Sequence, residues 1–193
     1  MDAGRFRRAI EAFDRANSED PNRANGRPRE LVHAERLTEW VKRLAPSPSE
    51  ALLLAARCQH IRRWTIPRAT FPEGREGYLR WRKTLAEFHA KAAGEILRGE
   101  GYPDEVVSRV RTLNLKQSLK TDPEVQTLED ALCLEFLEGE FAAFSAKTDE
   151  AKMIEIIRKT WGKMSPRGRD AALKLPLGPS QRALVEQALV QKR

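Results

Sequence analysis

Residues 29–44 read RELVHAERLTEWVKRL, and their spacing decides the fold. Val32, His33, Leu37, Trp40, Val41 and Leu44 recur at steps of three and four, which builds one apolar face on a helix whose other face is charged. The same period continues on both sides. Phe6, Ala9, Ile10 and Phe13 predict a helix over about residues 5–16. Leu52, Leu53, Ala56 and His60 predict another, opened by a capping box at Ser47-Pro48-Ser49-Glu50 and stopped before Pro67. Trp81, Leu85, Phe88, His89, Ala92 and Ile96 predict a helix over 78–98. Further starts lie at Asp104, at Asp122-Pro123-Glu124 (running to about 145), at Thr148-Asp149-Glu150 and at Ser165-Pro166. Asn25-Gly26 and Arg27-Pro28 mark turns, and no stretch alternates as a half-buried strand does. The expected architecture is a single all-α domain of seven to nine helices over residues 1–175. A C-terminal amphipathic appendage follows over 176–193.

At 193 residues the chain buries about 70% of its unfolded surface, so its core needs no metal or disulfide staple. A hydrophobic share of 40% beside 33% charge excludes a wholly disordered chain. The longest apolar run, 51–56, is too short to cross a bilayer, and the N-terminal residues lack the apolar core of a secretory signal. Cys58 and Cys133 form no CxxC pair and fall in apolar helical patterns, as free buried thiols of a reducing compartment do. A cytoplasmic protein without a membrane partner is expected.

The net charge of +7 is concentrated. Residues 57–83 carry +6 of it, on Arg57, Arg62, Arg63, Arg68, Arg75, Arg80, Arg82 and Lys83 against Glu73 and Glu76. A compact, Arg-dominated patch suits bidentate recognition of a phosphate-bearing small molecule, with RNA as the alternative anionic ligand. Arg57, Arg62, Arg63, Arg68, Arg80 and Arg82 are the candidate phosphate ligands, Lys116 and Lys120 a second basic set, and Trp64 a stacking face. Tyr78 and Trp81 offer further stacking faces, with core packing as the competing reading of Trp81 because of its spacing with Leu85 and Phe88. A P-loop, a GxGxxG turn and a CxxC pair are all missing from the sequence, which leaves ATP-driven and redox chemistry without local support.

His33, His60 and His89, the three histidines of the chain, all fall on apolar helix faces. One inward imidazole is ordinarily a satisfied core residue, but three converging are how helical bundles build metal sites. Asp130, in the apolar run 128–134, is the carboxylate expected to complete the set, because a buried Asp must be paired or bound to metal. His33, His60 and Asp130, with His89 as a fourth ligand, would hold Mn, Fe or Zn. Glu129 or Glu35 would orient the attacking water.

His33-Ala34-Glu35-Arg36-Leu37 resembles the H-x-x-R-V opening of HD-domain phosphohydrolases. The segment from Ala55 to Ile61 resembles their A-A-x-x-H-D-I helix, and Glu129-Asp130-Ala131 resembles the late Asp of their metal site. The family's His-Asp pair reads Gln59-His60 here, which exchanges one imidazole for an amide and a carboxylate for an imidazole. A second resemblance covers residues 8–175. The strings Asp20-Pro21-Asn22, Gln59-His60-Ile61-Arg62-Arg63-Trp64, Ile66-Pro67-Arg68, Gly77-Tyr78-Leu79-Arg80-Trp81-Arg82, Leu128-Glu129-Asp130 and Lys159-Thr160-Trp161 resemble domain-of-unknown-function family 4202. Some members of that family carry a glutamyl-tRNA synthetase-like label. Lys163-Met164-Ser165 resembles only a fragment of the class I synthetase loop, and the parallel-sheet nucleotide domain of that class has no strands here.

These resemblances imply an HD-like fold and a metal-dependent phosphohydrolase acting on a small, nucleotide-type phosphate. The competing readings are a non-catalytic HD-like protein that binds a nucleotide or tRNA, and a structural or partner-binding protein.

Overall fold

The computed structural model describes residues 2–190. Ten helices follow one another among them: α1 (Ala3–Ser18), α2 (Arg29–Leu44), α3 (Glu50–Cys58), α4 (Gly74–Gly99), α5 (Asp104–Asn114), α6 (Pro123–Glu135), α7 (Phe141–Ser145), α8 (Glu150–Lys163), α9 (Pro166–Leu173) and α10 (Pro179–Val190). This is one helix more than the upper expectation, because the helix predicted to run to about 145 is divided by a π turn at Phe136–Glu140. Among the described residues the only sheet is the two-residue ladder of β1 (Arg23–Ala24) and β2 (Arg27–Pro28). Asn25 and Gly26 turn it with φ of 51° and 78°, the pair of left-handed residues a tight hairpin requires. Residues 191–193 of the expected C-terminal appendage lie outside the described residues.

Local chemistry sets the boundaries. Asp122 caps α6, Asp149 caps α8 and Ser165 caps α9, each accepting from backbone N–H groups of the first turn. The start of α3 differs from the expectation. Ser49, not Ser47, is its cap, accepting from Leu52 N at 3.1 Å. The carboxylate that completes the arrangement comes from Glu124 on α6, which accepts from Ser49 N at 3.3 Å. That long-range bond moves the helix start two residues downstream.

One apolar core threads the chain, with Phe13, Leu37, Leu54, Ile61, Leu97, Leu113, Leu128, Leu134, Phe141 and Met153 fully buried. Helix α2 lies against α3 and α6, α3 against α5, and α4 against α5. Helix α10 packs on α8 and α7 and buries Val185 and Ala188. None of the described helices is long and apolar enough to cross a membrane. The functional consequence of this packing is that α2, the turn after α3, and α4 face one another with their histidines between them.

Candidate anion and histidine site

His33 comes from the buried face of α2 and His89 from that of α4. His60 is expected on α3, yet the helix ends at Cys58 and His60 sits in the turn that follows. Arg62, at the end of that turn, adopts φ 51°, and its N–H donates to Asn17 Oδ1 at 3.1 Å, which holds the turned chain against α1. The turn swings His60 between the other two rings. The His33 and His60 centroids lie 4.3 Å apart, 10° from parallel, and His60 and His89 lie 5.8 Å apart. The His60 side chain keeps 22% exposure against 9% for His33, so it is the member that solvent or a ligand reaches.

Two carboxylates that belong to no sequence motif complete the column. Glu135 Oε2 receives a hydrogen bond from His33 Nδ1 at 2.9 Å, and Glu30 Oε2 lies 3.7 Å from His60 Nδ1. Asp20 orients Glu30 by accepting from its backbone N–H at 3.0 Å. Both acids carry a legible signal. Glu30 stands one helical step before His33, and Glu135 sits at the end of the apolar stretch that contains Asp130.

The three imidazoles differ in how tightly they hold a proton. Burial works against a charged His33, but the bond to Glu135 and the fields of Glu135, Glu30 and Glu140 outweigh it and raise its pKa. Burial first, then charge on His33, Arg63, His89 and Arg82, pushes His60 well below the ordinary value. Burial also takes His89 down to about 4. The His89 Nδ1 faces the Ile61 carbonyl at 2.8 Å, which fixes the proton on that nitrogen. The Nε2 atoms of His33 and His89 are buried with no hydrogen-bond partner. Burial raises the Glu30 pKa despite His33 and Arg63 nearby.

A cavity of about 370 Å³ opens beside this column. Arg29, Glu30, Arg63, Trp64, Arg68 and Trp81 line it, with Pro21, Asn22, Ile66 and Pro67 between them. Its cations are held differently. Arg29 donates to Glu140 at 2.7 Å. Arg68 donates to the Phe71 and Gly74 carbonyls, at 2.9 and 3.4 Å, so its position is fixed while its charge has no carboxylate partner among the described residues. Arg63 lies 4.9 Å over the Trp81 ring and only loosely near Glu30, at 3.9 Å, and burial lowers its pKa. A partly desolvated guanidinium with so weak an acid partner has the donor geometry that an oxyanion could use. Trp81 is half-buried at the cavity wall and donates Nε1 to Ile66 O at 2.9 Å.

Other expected site residues lie elsewhere. Arg57 makes a bidentate pair with Asp14 on α1, at 2.6 and 2.7 Å. Arg62 Nη2 lies 3.7 Å from Glu19. Arg80 and Arg82 stand exposed on α4, Lys120 is exposed on the loop before α6, and Glu35 pairs with Arg27 at 2.7 Å. Lys116 contacts Glu129, which is buried and also faces Lys163 at 3.6 Å.

Asp130 turns toward α9. Its oxygens accept from Ser165 N at 2.8 Å, Ser165 Oγ at 2.5 Å and Gln126 Nε2 at 3.0 Å. Gln59 donates to Asn114 O at 3.4 Å. The donors assigned to a metal are therefore not gathered around one point, and among the described residues no group of three or more His, Cys, Asp or Glu could hold a metal ion. The residues as arranged do not fit that group.

A family model described as "Domain of unknown function (DUF4202)" matches residues 7–185. The chain belongs to this family. The DUF4202 match takes in all three imidazoles, the whole cavity wall and most of α10. No curated protein and no solved structure matches the chain.

Proposed function

We propose that this DUF4202 protein is an HD-like phosphohydrolase that takes a small phosphorylated, nucleotide-type molecule into the arginine-lined cavity. The observation that carries the reading is the shared wall: Glu30 and Arg63 border the cavity, and Glu30 also approaches the histidine column. In this reading Arg63 and Arg68 receive the phosphoryl oxygens, and Trp64 offers its face to the base. Neutral His60, the reachable imidazole, accepts the proton of the attacking water. Glu30, which keeps its proton to a higher pH than an ordinary carboxylate, returns one to the leaving oxygen. Protonated His33, held by Glu135, keeps positive charge beside His60 and so keeps His60 free to act as a base.

A second reading is favoured by one observation. Asp130, the acid expected to work at the site, is consumed in holding Ser165, which suits an HD-like protein that binds a nucleotide without hydrolysing it. A screen of nucleoside monophosphates, nucleoside diphosphates and sugar phosphates separates the two, with phosphate release and binding followed together. Release that disappears in His60→Ala supports hydrolysis, and binding without release supports the second reading. Absence of binding across the panel overturns both.

A further inference from the structure

Glu129 is the most unusual acid outside the cavity. It is 3% exposed on α6, and two lysines from different parts of the chain converge on it. Lys163 is the last residue of α8. Lys116 lies in the turn after α5 and adopts φ 56°, a left-handed conformation that a lysine takes at a cost. A buried carboxylate needs one counter-charge; here it has two, and both lysines keep part of their side chains in solvent.

Arg82 adds a third cation. It is the residue after Trp81 on α4, exposed, and without an ion pair among the described residues. It lies seven residues before His89 on α4, and Gln59, the neighbour of His60, donates to Asn114 O at 3.4 Å, two residues before Lys116, which ties the lysine turn to the histidine column. Glu129 neutralises one of the two lysines, and Arg82 adds a further cation on α4. The excess of two positive charges matches a phosphate, for which lysines act as point charges and arginine as a fork.

We propose that Arg82, Lys116 and Lys163, organised by Glu129, form a second phosphate station of the same site, and that the ligand is a nucleotide bearing two phosphate groups. This rests on the cavity reading, which supplies the first station. Glu129 is its organiser: in the free protein it holds the lysines in position and spares them the rotamer freedom they would lose on binding. Its own charge is secured by Lys116 and Lys163, which overcome burial and lower its pKa.

The test is titration calorimetry of the whole chain with adenosine 5′-monophosphate, adenosine 5′-diphosphate and adenosine 3′,5′-bisphosphate. At least one doubly phosphorylated probe is expected to bind ten-fold or more tighter than the monophosphate. In Lys163→Gln that advantage falls below three-fold while monophosphate affinity is unchanged. Lys163 is half-exposed, so this variant keeps the fold, which circular dichroism checks; Lys116→Gln is the second, more buried variant. Equal binding of all three probes, or an advantage that survives in Lys163→Gln, overturns the second station and leaves the cavity reading standing. Absence of monophosphate binding removes the cavity reading and this extension together.

Discussion

The rings of His33 and His60 stack 4.3 Å apart and nearly parallel, yet their surroundings shift their pKa values in opposite directions. His33 has a carboxylate at hydrogen-bond distance, whereas His60 meets Glu30 only at 3.7 Å and feels the charge of His33 itself. Two stacked imidazoles, one holding its proton more tightly and the other less tightly than a free ring, are an acid–base asymmetry built by position alone.

Stability should therefore depend on pH in two ways. The raised pKa of His33 means that its contribution is fully present below the ordinary value of 6.5 and is lost as pH rises through its folded value. His89 behaves in reverse. Its contribution is present above 6.5 and is lost as pH falls toward about 4, for a total on the order of 3 kcal/mol. Melting temperatures across this range should fall on the acid side in the wild type and fall less in His89→Gln. An unchanged acid limb in that variant would contradict the assignment.

Arg57 and Arg63 should separate stability from binding. Arg57→Ala breaks a bidentate, largely buried pair with Asp14 and should cost roughly 3 kcal/mol, measured by urea unfolding, with ligand affinity preserved. A stable Arg57→Ala that cannot bind would make Arg57 a ligand-binding residue instead of a structural one.

Asp130→Ala should behave as a helix-cap lesion. It strips Ser165 N and Oγ of their acceptor at the start of α9 and should cost about 1–3 kcal/mol. Gly168→Ala should act on the same joint, because its Cβ would come within 2.6 Å of the Asp130 carboxyl carbon. Wild-type stability in both variants would show that Asp130 does not hold α9.

Gly77→Ala should damage the cavity from outside it. A Cβ there would meet the Pro72 carbonyl oxygen at 1.9 Å, and that atom belongs to backbone that cannot rotate away. The loop carrying Pro67, Arg68 and Phe71 must shift, so ligand affinity should fall along with stability. Intact affinity would mean that the loop does not shape the cavity.

The helices are legible because burial repeats at helical spacing, and α2 and α5 begin where their sequences say. The three histidines also converge, as their apolar-face positions suggest. The rest of the site depends on distant partners that no local pattern records. Asn17, more than forty residues away, captures the Arg62 N–H and so anchors the turn that carries His60. Asp14 claims Arg57, and Ser165 claims Asp130. Arg29 escapes a reading of the sequence, and the helical spacing of Glu30 from His33 and the apolar setting of Glu135 are only weak signals, because an arginine or glutamate at helical spacing looks the same whether it faces solvent or a cavity.

The central claim is that Arg63 and its neighbours receive a phosphate. Calorimetric titration of adenosine 5′-monophosphate and adenosine into the wild type and Arg63→Ala tests it most directly. The wild type should bind the monophosphate and not the nucleoside, and Arg63→Ala should lose about 1.5–3 kcal/mol of that affinity through the missing charge-assisted bond. Equal affinity for adenosine and its monophosphate, or undiminished monophosphate binding by Arg63→Ala, would contradict the account.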